Sequence, residues 1–307
     1  MNKLYDVIII GSGPAGLSAA LYAGRAKLKT LVIEQGVSGG QIVSTGEIEN
    51  YPGSYDMESG VSLIARMDAQ ARKFGAEFVH DQVIAVDFSG EIKGVFTFGE
   101  DYFSKTVILA SGASPAKLSV PGEDELTGRG ISYCATCDAA FFEGMPVYVI
   151  GGGDAAVEEA MYLTKFASEV NIIHRRDTLR AAKSIRERAF MNPKINFIWN
   201  STVKEFIGSQ QLEGISIQNL KTGEITKIMG SFGVFIYIGF KPATELYSEL
   251  LPLEKGYIRT DEEMRTVIPG VFAAGDCRVK SLRQVVTAVS DGAIAAVNAG
   301  KYIEEVK

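Results

Sequence analysis

The sequence predicts an α/β fold of two three-layer units, the second inserted into the first. Three observations point to it. Residues 4–34 read as strand, glycine-rich turn, helix and strand. Residues 146–174 repeat that order about 140 residues later. Two apolar segments, TVILASGASP at 106–115 and GVFIYIGFKP at 233–242, end in the same pattern of small residues and proline. Such twin ends suit strands that lead the chain out of one domain and back again. The expected division is residues 1–115 with 244–307 as a discontinuous domain and residues 116–243 as the inserted one. At 307 residues the chain is long for one core and sufficient for two.

The first unit opens on LYDVIII at 4–10, an apolar run of strand length. GSGPAG follows at 11–16, a helical pattern runs to about Lys27, and KTLVIE at 29–34 reads as the next buried strand. This is the Rossmann-like, dinucleotide-binding βαβ arrangement. Gly11 permits the sharp turn, Gly13 lets a pyrophosphate approach the backbone, and Gly16 lets the helix pack on the strand. Ser12, Pro14 and Ala15 stand between them at a helix N-terminus that favours phosphate. Glu34 closes the second strand, where a carboxylate accepts from ribose hydroxyls and repels a 2′-phosphate. FAD or NAD therefore suits this site. VFAAGDCR at 271–278 reads as a buried strand closing on Gly275 and Asp276. Asp276 can reach the ribityl or pyrophosphate region of a flavin, which favours FAD, although a turn cap is an equal alternative for that residue alone.

The redox chemistry is expected at Cys134 and Cys137, in the order C-A-T-C. Two intervening residues permit a readily exchanged disulfide, more so where a helix begins. Two buried, reduced cysteines are the plainer alternative. Zinc needs two further ligands, and Cys277, His80 and His174 supply no second C-x-x-C or H-x-x-H, so no metal is expected. Asp138, directly after the second cysteine, can hold or deliver the proton that thiolate exchange needs, and can also cap a helix. Cys277 reads as a buried apolar side chain.

The second unit repeats the nucleotide pattern. PVYVI at 146–150 is followed by GGGDAA at 151–156, a helix to about Ser168, and EVNIIH at 169–174. Gly151, Gly153 and Ala156 form the accepted G-x-G-x-x-A variant. This strand closes on His174, Arg175 and Arg176 rather than on an acid, with Arg180 one turn later. Positive charge at the ribose-reading position selects a 2′-phosphate, hence NADPH over NADH. A solvated basic turn is the alternative.

A formal net charge of −6 argues against nucleic acid and anionic membranes as partners. No apolar run approaches the ~18 residues that span a bilayer. The apolar stretch before Gly11 is too short for a secretory signal, so a cytoplasmic protein is expected. Three cysteines make no disulfide scaffold.

Taken with GGQ (39–41), ENYPG (49–53), YCATCDAAFF (133–142), GGGDAAVEEA (151–160), ASEVNIIHRRD (167–177), VFAAGDC (271–277) and RQ (283–284), these motifs closely resemble the low-molecular-weight, bacterial-type thioredoxin reductases. The matches span nearly the whole chain in the family's order. The resemblance implies FAD contacts from Gln41, Asn50, Asp276, Arg283 and Gln284. It implies that Cys137 faces the flavin, that Cys134 exchanges with the disulfide of thioredoxin, and that Asp138 is the acid/base. Residues in or beside the motifs, namely Gln35, Gly40, Val285, Asp154, Ala155 and Glu159, are expected to line the cofactors with them. A cytoplasmic homodimer is implied too. Ser111, Leu282 and Cys277 depart from the family's usual Thr, Tyr and aliphatic residue.

Larger glutathione-reductase-like enzymes carry a C-x-x-x-x-C pair in the first FAD segment and a C-terminal histidine; neither is present here. Three other readings remain: a peroxide-system flavoprotein, for which an extra N-terminal domain is expected; a ferredoxin-linked relative, against which GGGDAA and HRRD speak; and a non-enzymatic flavin redox sensor.

Overall fold

The computed structural model describes residues 4–44, 48, 50–55 and 57–306; Glu49 of the ENYPG motif lies outside them. The chain forms two compact units, one running up to Ser114 and resuming at Lys241, the other Pro115–Phe240.

The first unit begins β1 (Leu4–Ile10), α1 (Pro14–Arg25), β2 (Thr30–Glu34), α2 (Gly60–Lys73), β3 (Glu77–His80), β4 (Val83–Asp87), β5 (Lys93–Thr97), β6 (Asp101–Leu109) and β7 (Ala113–Pro115). The inserted unit adds α3 (Glu123–Leu126), β8 (Ile131–Ser132), α4 (Ala135–Asp138), β9 (Pro146–Gly151), α5 (Asp154–Leu163), β10 (Glu169–Ile173), α6 (Lys183–Phe190), β11 (Ile195–Ile198), β12 (Ser201–Ile207), β13 (Gly214–Asn219), β14 (Ile225–Met229) and β15 (Gly233–Tyr237). The chain then returns through β16 (Phe240–Pro242), β17 (Leu253–Glu254), β18 (Tyr257–Ile258), β19 (Val271–Ala273) and α7 (Val285–Glu305).

In the first unit the sheet runs β3-β2-β1-β6-β5-β4, with β19 also paired to β6. β1 lies parallel to both β2 and β6, so Ile8, Ile9 and Ile10 are flanked by Leu31, Val32 and Ile33 on one side and Val107, Ile108 and Leu109 on the other. A strand buried on both faces explains the unbroken apolar run. Successive side chains alternate between faces. Val7, Ile9, Val32 and Ile108 meet the alanines of α1 and α7. Ile8, Leu31, Ile33 and Leu109 meet Phe88, Tyr247, Leu251 and Ile258. That gives three layers.

The inserted unit has a parallel sheet in the order β11-β10-β9-β15-β8 and an antiparallel ribbon β12-β13-β14. Val147, Val149, Ile172 and Phe235 pack against α5, and Tyr148, Ile150, Ile173 and Val234 pack against the ribbon residues Val203, Ile215 and Ile217. Again there are three layers. Helix α5 stops at Leu163, earlier than the expected Ser168. Lys194 Nζ donates to the carbonyls of Thr164 and Ala167, drawing the chain out of the helix while Ala167 is buried.

The changeovers fall at 114/115 and 240/241, one to three residues before the positions expected from sequence. There β7 and β16 pair as a two-stranded ribbon, so the crossing is a short strand rather than a loop.

Helix α7 approaches α1 through small residues. A Cβ on Gly292 would lie 2.0 Å from the Ala15 carbonyl oxygen and 3.0 Å from Ala19 N, both backbone atoms that cannot swing away. Beside it, Asp291 accepts from Gly275 N at 3.0 Å and from Lys280 Nζ at 2.7 Å. Gly292→Ala should therefore destabilise by about 1–3 kcal/mol through overpacking, although helix propensity alone would gain about 1 kcal/mol. Thermal unfolding checks the sign: a lower Tm is expected, and a raised one would show that α7 is free to shift.

Candidate active site

The first glycine turn is built as its spacing requires. Gly11 has φ +106, and a Cβ there would sit 2.3 Å from the Ala110 carbonyl oxygen. A Cβ on Gly16 would lie 1.9 Å from the Gly11 carbonyl oxygen. These positions hold α1 against β1, with Pro14 in its first turn, where a missing N–H costs nothing. Over Gly13 the nearest atom to an added Cβ is 3.7 Å away, so the turn's outer side is open. Glu34 Oε2 accepts from Ser12 N at 2.8 Å and Ser12 Oγ at 2.9 Å, and its Oε1 accepts from Gly36 N at 2.9 Å. The carboxylate thus braces the glycine turn from within, and a ribose would have to use what acceptor capacity remains.

Opposite ends of the first unit's sequence meet at this site. Asn50 Nδ2 donates to Gln284 Oε1 at 3.1 Å across 234 residues of sequence. Gly275, at φ +77, begins a 3-10 turn that carries Asp276, and its amide is held by Asp291. Asp276 Oδ1 and Arg283 Nε are buried without a hydrogen-bond partner among the described residues. Burial pushes the Asp276 carboxyl up, against the pull of Lys280 and Arg283. Arg283 also lies over the Tyr257 ring at 4.0 Å. A buried acceptor and a buried donor left open are what a bound polar ligand satisfies. Gly40 and Gln41 lie in a 3-10 turn and Val285 opens α7.

The second glycine turn has Gly151 at φ +154 and open space over Gly153. The segment after β10 is fastened to it. Arg180 N donates to the Gly152 carbonyl at 2.7 Å, and Ala182 N donates to Asp154 Oδ1 at 2.7 Å. The basic cluster divides. Arg175, Arg176 and Arg180 are exposed, and no carboxylate pairs with them among the described residues. His174 is instead buried at 4% exposure, its ring packed where a Cβ on Gly152 would fall 2.3 Å from Nδ1. His174, directly after β10, is held by backbone hydrogen bonds to Ile198 and Ser201, and the three arginines stay exposed. Burial lowers the histidine's affinity for a proton, and its Nε2 lacks a partner among the described residues. Ala155 and Ala156 lie in the first turn of α5, and Glu159 sits one turn on with Oε2 buried and without a partner among the described residues; burial raises its carboxyl, helped by Glu158.

Cys134 and Cys137 form a disulfide with Cα atoms 5.3 Å apart. Cys134 is extended and precedes α4, so the pair straddles the start of that single turn. Two hydroxyls pin it. Ser132 Oγ accepts from Cys134 N at 3.0 Å, and the Tyr237 hydroxyl accepts from Ala135 N. Asp138 Oδ2 accepts from Ser132 Oγ at 2.6 Å. Burial raises the Asp138 carboxyl, and the Ser132 hydrogen bond opposes the rise. Ser132 and Tyr237 escape a motif search: the serine resembles any turn residue, and the tyrosine arrives from 102 residues away in sequence. Cys277 is wholly buried, with its Sγ 3.3 Å from the carbonyls of Leu109 and Ala274, and burial pushes its thiol up to about 11.

Two open dinucleotide turns and one disulfide beside a buried carboxyl define a nucleotide-dependent disulfide oxidoreductase. A family model described as pyridine nucleotide-disulphide oxidoreductase matches residues 5–292. A thioredoxin reductase of Peptoclostridium acidaminophilum is 56% identical over 99% of this chain and 98% of its own length. The thioredoxin reductase of Bacillus subtilis is 49% identical over 100% and 97%. The crystal structure of thioredoxin reductase from Streptococcus pyogenes superposes with a TM-score of 0.92 at 50% identity, covering 99% of this chain and 100% of that one. The chain belongs to the pyridine nucleotide-disulphide oxidoreductase family. Membership brings FAD and NADPH as cofactors, and the open atoms of Asp276, Arg283 and Glu159 together with the unpaired arginines fit them. No helix among the described residues is long and apolar enough to cross a membrane.

Thiol counting checks this geometry. The oxidised, folded protein should show no thiol that reacts rapidly with an aromatic disulfide reagent. Mild reduction should release two, and denaturation a third. A fast thiol before reduction would contradict the pairing or the burial of Cys277.

Proposed function

We propose that the protein is a thioredoxin-disulfide reductase, taking electrons from NADPH through FAD and the Cys134–Cys137 pair to oxidised thioredoxin. The observation that carries the reading is the disulfide straddling the start of a helical turn with a carboxyl directly after it whose proton affinity burial raises. The relatives' names supply the protein substrate. In this reading the first glycine turn, with Gln35, Gly40, Gln41, Asn50, Asp276, Arg283, Gln284 and Val285, holds FAD. The second turn, with Asp154, Ala155, Glu159, Arg175, Arg176 and Arg180, holds NADPH, and the buried His174 supports that turn from beneath. The reaction takes place in the cytoplasm, and the working form is a homodimer, as the family resemblance implies.

When bound, FAD supplies two-electron transfer between a nicotinamide and a disulfide. The chain's own residues do the rest. Cys134, once reduced, attacks the disulfide of thioredoxin as thiolate, and Cys137 resolves the mixed disulfide. Asp138 exchanges the proton: burial keeps its carboxyl able to hold one at higher pH than an exposed aspartate would. The arginines give a 2′-phosphate fixed positive charge.

Two measurements test this. NADPH oxidation followed with and without thioredoxin should show thioredoxin-dependent turnover that falls to background in Cys134→Ser. NADPH-reducible flavin with no thioredoxin turnover would keep the cofactors and overturn the substrate. Arg175→Ala with Arg176→Ala should lower kcat/KM for NADPH by about tenfold or more, from lost charge-assisted hydrogen bonds, and leave NADH unchanged. An unaltered NADPH to NADH ratio would contradict the assignment.

A further inference from the structure

We propose that Ser132 is a positioning residue that holds the Asp138 carboxyl in place and lets it change protonation without leaving any neighbouring group unpaired. The inference rests on the reading of Asp138 as the proton-handling group.

Ser132 closes β8, two residues before the cysteine pair, and its side chain is buried. Its oxygen meets three partners: Cys134 N–H donates to it at 3.0 Å, Asp138 Oδ2 lies at 2.6 Å, and the Cys134 carbonyl oxygen at 3.3 Å. A hydroxyl has one proton and two lone pairs. One lone pair is committed to the Cys134 amide. With Asp138 ionised, the hydroxyl proton points at the carboxylate. With Asp138 protonated, the carboxyl donates to the second lone pair, and the hydroxyl proton turns to the Cys134 carbonyl. Both states keep the hydroxyl, Asp138 Oδ2 and the Cys134 amide paired with a rotation about a single bond, so neither strands one of them. The Cys134 amide stays fixed throughout, and with it the start of α4.

The other groups facing this site cannot substitute. From β15, the Tyr237 hydroxyl takes the Ala135 amide. From α5, Glu159 contributes negative charge near that phenol, as Asp138 does. From α4 itself, the Thr136 hydroxyl lies 3.3 Å from Cys134 Sγ, and Cys137 is held in the disulfide. Two influences act on the Asp138 carboxyl: burial, which favours the proton, and the Ser132 hydroxyl, which favours its loss. Removing the hydroxyl leaves burial unopposed.

The test uses the full-length oxidised holoprotein with carboxyl-13C aspartate. The resonance that disappears in Asp138→Asn reports the Asp138 titration directly. Ser132→Ala should raise its midpoint by about one pH unit, the worth of a hydrogen bond to a charged group. Ser132→Thr, which keeps a hydroxyl, should return the midpoint toward that of the parent. A lower Tm in Ser132→Ala with an unmoved midpoint would overturn the proposal and leave the serine a structural residue. The pH dependence of thioredoxin reduction separates the underlying reading. If the midpoint moves and the rate profile follows, both stand. If the midpoint moves and the profile does not, the serine holds Asp138 as proposed, and Asp138 is not the acid/base.

Discussion

The hydrogen bond from the Ala135 amide to the Tyr237 hydroxyl joins the two halves of the inserted unit's task. Tyr237 ends β15 beside Gly151, the first residue of the nucleotide turn. Ala135 lies between the two cysteines. One phenol thus ties the redox pair to the strand next to the nucleotide turn, and Ser132 ties the preceding residue to Asp138. Burial pushes the Tyr237 hydroxyl far above its ordinary range, so it stays a neutral partner at every pH the protein meets. An amide–phenol bond of this kind does not titrate, whereas Asp138 beside it does. A fixed scaffold around one movable proton is what dithiol exchange requires.

The first unit solves a different problem, the placing of residues that lie far apart in sequence around one turn. Its means are small side chains. The alanines of α1 and α7, with Gly292 and Gly16, bring backbone within contact of backbone. Asp291 then fastens the Gly275 turn to α7, with Lys280 and Arg278 paired to it at 7% and 13% side-chain exposure. A buried ion pair is weak evidence for stability, since desolvation offsets much of its attraction. Its worth here is geometric: the amide it holds precedes Asp276, whose open carboxyl oxygen faces the site.

Much of this was legible in the sequence because glycine spacing and strand periodicity are local. GSGPAG and GGGDAA required their turns, and both formed. The sequence puts the crossings at the ends of the twin segments 106–115 and 233–242; the two compact units divide at 114/115 and 240/241, on a paired ribbon. Other features depend on contacts that no short window contains. His174 reads with the arginines as one basic cluster, yet its ring packs against the side-chain-free Gly152 and is buried. Glu34 reads as a ribose acceptor, and the fold also spends it on Ser12. Tyr237, Ser132 and Asp291 carry no motif; each matters through a partner whose proximity only the fold creates.

The central claim is that the Cys134–Cys137 disulfide is an internal electron store in series with the flavin. Anaerobic titration with NADPH, followed by flavin absorbance and by free thiol, tests it most directly. The parent protein should take up one hydride equivalent beyond that needed for the flavin and should gain a matching pair of thiols. The Cys134→Ser, Cys137→Ser double variant should take up the flavin's share alone. Equal uptake by the two proteins would contradict the account.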